Sequence, residues 1–210
     1  MGTVIAIDDS YNQSVYTIKL DGTKITVTVT SVASVVRKWL NSTLFLRRKH
    51  VQMNQLVVGL GVQWTPGGYN APANTLQLCI GRRCLIFQLS QAEFVPQRLR
   101  TFLQDPDHRF VGFWNHSDRR KLMSSEHGLE MRNYPLDLRM YGERLCGENL
   151  ARASVKKIVK KCLGYEVEQS REISMSDWSQ KDLNKDQVVY ACVDAYCAFL
   201  MGKNLRAWKM

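Results

Sequence analysis

The chain has 210 residues and a mass of 24.2 kDa, enough to bury a core without metals or disulfides. Hydrophobic residues make up 45% and charged residues 23%, which excludes a disordered, collagen-like or coiled-coil protein. Lys and Arg number 29 against 19 Asp and Glu, a net charge of +10; such a surface either attracts polyanions, nucleic acid foremost, or is simply solvated.

No apolar run approaches the ~20 residues of a membrane-spanning helix. The opening MGTVIAIDDS lacks a basic region before its apolar part, so neither a membrane anchor nor a secretory signal is expected. Six cysteines without a CxxC pair read as the reduced thiols of an intracellular protein, nuclear or cytoplasmic.

Residues 15–20 and 24–30 alternate in polarity around Asp21-Gly22 and predict a hairpin. Ser31 can cap a helix carrying Val32, Val35, Val36, Trp39 and Leu40 at helical spacing, and 41–55 reads as a polar, basic connection. Residues 56–64, LVVGLGVQW, are too continuously apolar for an exposed edge strand, and 65–72 is a loop by composition. A second hairpin follows, 75–80 and 83–89 around Gly81-Arg82, then a helix at 92–104, a strand at 110–114 and a helix opening near Asp118. Beyond it the chain is mainly helical, at 150–163 and 184–202. Strands first, helices after and a β-α-β passage between them predict a mixed sheet covered by helices.

The most specific stretch is DWSQKDLNKDQVVYACVDAYCAFL, in which Tyr190 and Asp194 lie four apart on one helix face. A carboxylate beside a phenol can hold a metal ion and orient a water. An i,i+4 Tyr–Asp pair is also common as a plain helix contact. With its Trp-Ser approach, Leu183, Gln187 and Tyr-Ala-x-x-Asp-Ala-Tyr, this segment resembles the third motif of the ribonuclease D and Werner syndrome-type 3′–5′ exonucleases, within the DnaQ-like group. FVGFWNHSDRRKL is similar to the second motif and places Asp118 at its carboxylate. LQLCIGRRCLIFQL is similar to the strands after the first motif, and YTIKLDGTKITVTVTSVASVVRKWL to the lead-in of plant Werner-like members.

The first motif departs. Where the family has Asp-x-Glu, VVGLGVQW carries Gly61 and Gln63. A two-metal site flanks an in-line displacement at phosphorus with two divalent ions. Four carboxylates neutralise both ions, whereas Asp118 and Asp194 neutralise one, and the amide oxygen of Gln63 is a weak substitute. The Lys that the family commonly carries after Leu163-Gly164 is Gln169. Asp8 and Asp9 end an apolar run that mimics a first-motif strand but precede a hairpin and a helix; Asp137 reads as structural.

Arg119, Arg120 and Lys121 follow Asp118 and could rim a nucleic-acid cleft. Lys156, Lys157, Lys160 and Lys161 form a stripe that reads as a solvated helix face. The four histidines show no zinc spacing with the cysteines; His116 reads as a surface-loop residue.

The resemblance implies an α/β protein: a ribonuclease H-like mixed five-stranded sheet flanked by helices, in one domain over 1–210 with 15–41 as lead-in. It implies catalysis by Asp118, Tyr190 and Asp194. One weak Mg²⁺ or Mn²⁺ would sit on Asp118 and Asp194, with nucleic-acid ends as partner. The lost acids imply impaired phosphodiester hydrolysis, and the alternative is a non-catalytic nucleic-acid-binding or protein-interaction relative. No membrane partner is expected, and homo-oligomerisation is left open.

Overall fold

In the computed structural model, which describes residues 2–67 and 70–210, β1 (Thr3–Ser10), β2 (Gln13–Leu20) and β3 (Thr23–Thr30) lead into α1 (Ala33–Leu46) and α2 (Arg48–Gln52). Then come β4 (Val57–Gln63), β5 (Thr75–Ile80), β6 (Arg83–Gln88), α3 (Gln97–Gln104), β7 (Arg109–Gly112) and α4 (Asp118–Met123). The remainder is β8 (Leu136–Asp137), α5 (Gly142–Cys146), α6 (Val155–Leu163), α7 (Arg171–Ser174) and α8 (Lys185–Leu205). Gly68 and Tyr69, part of the expected 65–72 loop, lie outside the described residues.

The described strands form one sheet in the order β1-β2-β3-β6-β5-β4-β7-β8. The expected five strands are its β6-β5-β4-β7-β8 portion. Eight strands replace five because β3 pairs in parallel with β6, covering what would be an open edge. The sheet is mixed: β4 is antiparallel to β5 and parallel to β7.

Helices cover both faces, and the period-2 alternation of β4 sorts its side chains between them. Val58, Leu60 and Val62 enter a core with Trp39 and Leu40 of α1 and Leu99 and Phe102 of α3. The odd positions, Val57, Gly59, Gly61 and Gln63, face α8. Val57 packs with Ala198 and Met201 of that helix, and the N-terminal hairpin supplies Ile18, Ile25 and Val27 to the core beneath it. A Cβ on Gly59 would fall 1.9 Å from the Ala195 carbonyl oxygen. The glycine lets α8 rest directly on the central strand, which sets how close Asp194 comes to it.

Several expectations shift. Residues 41–55 are helical through most of their length, because buried Thr43 prolongs the inward face of Val36 and Leu40 and half-buried Leu44 packs on the same core. The 92–104 helix starts only at Gln97; Pro96 biases the residue before it towards extended backbone. Thr30 rather than Ser31 serves the start of α1, its Oγ1 accepting from the Val32 amide at 3.0 Å. Asp8 and Asp9 are exposed on β1, the far edge strand, five strands from β4 and so about 24 Å away. The expectation of uniformly reduced cysteines fails at one pair. Cys79 and Cys84 are register partners across the second hairpin and are joined as a disulfide. Among the described residues no helix is long and apolar enough to cross a membrane.

Candidate active-site cleft

At the carboxyl end of β4 a cleft of about 300 Å³ is lined by Gly61, Gln63, Trp64, Phe113, Trp114, Asp118, Tyr190 and Asp194, among others. Three elements deliver these groups. Strand β4 points its odd residues inward, α4 opens with Asp118, and α8 presents Tyr190 and Asp194 one turn apart.

Local chemistry fixes α8. Asn184 accepts from the Gln187 amide at 2.9 Å while the Gln187 side chain accepts from the Asn184 amide at 3.0 Å, a reciprocal capping box. The same Gln187 side chain donates to Ser176 Oγ and to the Asp177 carbonyl. Thr65, two residues past β4, accepts from the Trp178 amide at 2.8 Å and donates to Asp177. Trp178 is fully buried. The Trp-Ser approach therefore stitches the end of the central strand to the start of α8.

Both oxygens of Asp194 are engaged by amides. Gln63 Nε2 donates to Oδ2 at 3.5 Å, and Gln169 Nε2 donates to Oδ1 and also, at 3.3 Å, to the Tyr190 carbonyl. The two residues standing where the family carries an acid and a lysine thus close on the carboxylate that remains. Burial pushes the Asp194 carboxyl up to about 7, with the Gln169 hydrogen bond opposing. Asp118 is pushed up to about 8, first by burial and then by the charges of Asp194 and Asp137, with Lys121 opposing. Burial, aided by Asp194, also raises the Tyr190 phenol, which stays a neutral donor.

At Gly61 a Cβ would lie 2.7 Å from Gln77 Oε1. That buried oxygen has no hydrogen-bond partner among the described residues, and the same side chain's Nε2 donates to Thr75 at 2.6 Å. The Gln77 amide leans into the space that a side chain at 61 would take.

Gly61, Gln63, Asp118, Tyr190 and Asp194 share the cleft. The basic trio does not line it. Lys121 is buried, its Nζ donating to the Ala71 carbonyl at 2.7 Å and lying 4.0 Å over the Trp64 ring. Arg119 stacks on Tyr134 at 4.4 Å and lines a separate depression with Glu130 and Arg132, and Arg120 is exposed on α4. A helix turns successive side chains by about 100°, so three neighbours cannot all face one groove. His116 is exposed, and Asp137 is tied to Arg139 at 2.6 Å.

Trp114 was not singled out from sequence. It is 42% exposed on the cleft wall, with Arg139 3.4 Å over its ring and its indole N–H donating to the Ala153 carbonyl. The aromatic pair Phe113-Trp114 just before Asp118 was the available signal.

The donor set does not fit the pair of divalent ions that four carboxylates hold. Among the described residues no three His, Cys, Asp or Glu side chains converge. Asp118 and Asp194 fit one ion at most, and that ion would compete with two amides for Asp194. A lysine at 169 would change this balance. In Gln169→Lys an ammonium replaces an amide donor beside Asp194, and carboxylate-resolved NMR titration should show that carboxyl titrating about 1–3 pH units lower. An unmoved titration would show that residue 169 does not govern Asp194.

A sheet with the β6-β5-β4-β7-β8 order, helices on both faces and carboxylates converging at the carboxyl end of its central strand defines a DnaQ-like 3′–5′ exonuclease domain. A 3′–5′ exonuclease family model matches residues 64–207, and the chain belongs to that family. The match begins one residue after Gln63 and contains Asp118, Tyr190 and Asp194. The chain is 27% identical over 154 residues to the bifunctional 3′–5′ exonuclease/ATP-dependent helicase WRN of Mus musculus, covering 71% of this chain and 11% of that protein. It is 30% identical over 183 residues to exonuclease 3′–5′ domain-containing protein 2 of Drosophila melanogaster, covering 84% of this chain and 29% of that one. It spans half or less of the length of these curated relatives. Two solved structures share the fold. Escherichia coli RNase D has a TM-score of 0.68 at 14% identity, over 86% of this chain and 44% of that one. The EXO domain of Aedes aegypti Nibbler has a TM-score of 0.67 at 16% identity, over 91% of both chains.

Proposed function

We propose that residues 1–210 act as one intracellular unit, nuclear or cytoplasmic, that receives nucleic-acid ends in this cleft and hydrolyses them poorly. The observation that carries this reading is the engagement of both Asp194 oxygens by Gln63 and Gln169. The carboxylate that would hold a metal is already satisfied by neutral donors. A single divalent ion on Asp118 and Asp194 would polarise the terminal phosphodiester. The chain's own contribution is Tyr190, a neutral phenol able to orient a water, and Trp114, a platform for a terminal base.

The test is digestion of end-labelled single- and double-stranded DNA and RNA with Mn²⁺ or Mg²⁺, against an Asp194→Asn control. Slow or absent turnover above that control is expected. Fast Asp194-dependent hydrolysis would overturn the impairment, and calorimetry showing two tight metal sites would do the same.

Binding should persist without turnover. Affinity for single strands should fall by about 0.7 log units per phosphate contact for each log unit of salt. Chelator should weaken binding little, because losing two acids leaves less charge to repel an incoming phosphate. Trp114→Ala should cost about tenfold in affinity, within the range for one base stacked on an aromatic ring. Filter binding over a salt series measures all three. A chain indifferent to oligonucleotides at low salt would favour the protein-interaction alternative.

A further inference from the structure

A second concavity, also about 300 Å³, lies at the opposite end of the same strand and helix. Its floor includes Leu56 and Val57, where β4 begins, whereas Gly61 and Gln63 of the cleft are where β4 ends. Lys203 at its rim follows Asp194 by nine residues on α8, about 14 Å along the axis. The two sites share elements and no lining residue.

The charge of this pocket is one-sided. Arg47, His50, Arg82 and Lys203 line it and no acidic residue does. None of Arg47, Arg82 and Lys203 enters an ion pair among the described residues, so their charge is not spent within the fold. Gly81 shapes the arrangement. It takes φ +67° in the hairpin turn, and a Cβ there would stand 2.0 Å from Arg47 Nη2. Its absence lets the guanidinium lie on the turn, next to Arg82. The lining is also aromatic, with half-buried Trp208 and buried Tyr196. Plain solvated charge would need neither the cavity nor these rings. Guanidinium groups offer bidentate donors matched to phosphate oxygens, and the volume is at the lower end for small-ligand sites.

We propose that this pocket binds a nucleoside monophosphate, its phosphate on Arg47, Arg82 and Lys203 and its base along Trp208. The assignment uses nothing from the cleft and stands or falls apart from the function proposed for it.

Calorimetric titration of the full chain in chelator at low ionic strength, with AMP, orthophosphate and adenosine as probes, tests it. One saturable AMP site is expected, displaced by orthophosphate, with adenosine not binding. The double variant Arg47→Gln/Arg82→Gln should weaken AMP at least about tenfold, as loss of charge-assisted hydrogen bonds implies. Asp118→Asn/Asp194→Asn should leave AMP binding unchanged. If the arginine variant melts early, exposed Lys203→Gln is read in its place, with the same direction expected. No saturation by about 10 mM AMP, unchanged affinity in the basic-residue variants, or loss of binding in the double aspartate variant would each overturn the site. Equal affinity for adenosine would overturn phosphate recognition, and equal affinity for orthophosphate and AMP would overturn the nucleotide.

Discussion

Asp118→Asn should raise the melting temperature of the metal-free protein at pH 8 and leave it nearly unchanged at pH 4. In the fold the Asp118 carboxyl is pushed up to about 8 from an ordinary value of 3.8, by burial first and by Asp194 and Asp137 after it. The folded chain therefore holds a proton that the unfolded chain releases. Stability is fullest below the unfolded value and falls as pH rises from about 4 to about 8, each pH unit in that window costing about 1.4 kcal/mol. Asparagine keeps the shape of the neutral acid and removes the titration. The gain at pH 8 should be on the order of 5 kcal/mol, or about 10–20 °C for a chain of this size. Calorimetric melting in chelator at both pH values reads it out. An equal shift at both, or a loss at pH 8, would show that Asp118 is not held protonated by its surroundings.

The second large effect is expected from rebuilding the first motif. Gly61→Asp with Gln63→Glu brings the cleft to four carboxylates and should raise metal-dependent nuclease activity by about tenfold or more, since metal and electrostatic contributions are each worth several kcal/mol in such sites. The structure adds a condition. The new Cβ at 61 meets Gln77 Oε1, so that amide must turn. It is the free end of a side chain, and a flipped amide could offer Nε2 to the new carboxylate. The substitution at 63 would remove an amide donor from Asp194 and add charge to a buried pair, so the variant should melt lower in chelator and recover with Mn²⁺. A variant that folds and binds Mn²⁺ yet gains no activity would show that the cleft no longer accepts substrate.

Much of this was legible in the sequence wherever the governing interaction is local. The two-residue period of a strand over 57–63 places Gly61 and Gln63 on one face, the i,i+4 spacing places Tyr190 beside Asp194, and Asp-Gly and Gly-Arg mark the two hairpin turns. Backbone periodicity and turn sterics act over a few residues, so they can be read without the fold. The missing acids at 61 and 63 were likewise visible as letters. The cross-strand partnership of Cys79 and Cys84 was implicit in the second hairpin but hidden by counting cysteines for metal-type spacings.

What only the tertiary structure decided depends on contacts between distant segments. The parallel pairing of β3 with β6 extends the sheet to eight strands across more than fifty residues of chain. The amides of Gln63 and Gln169 reach Asp194 from 131 and 25 residues away, and no spacing rule states which carboxylate oxygen each will find. Lys121 reads as a surface cation, yet the Ala71 carbonyl and the Trp64 ring hold it inside, because a long side chain can bury its stem where a distant loop supplies an acceptor. Local sequence set which groups face which way; the approach of α8 to β4 over Gly59 set how near they come, and with that whether Asp194 meets a metal ion or two amides.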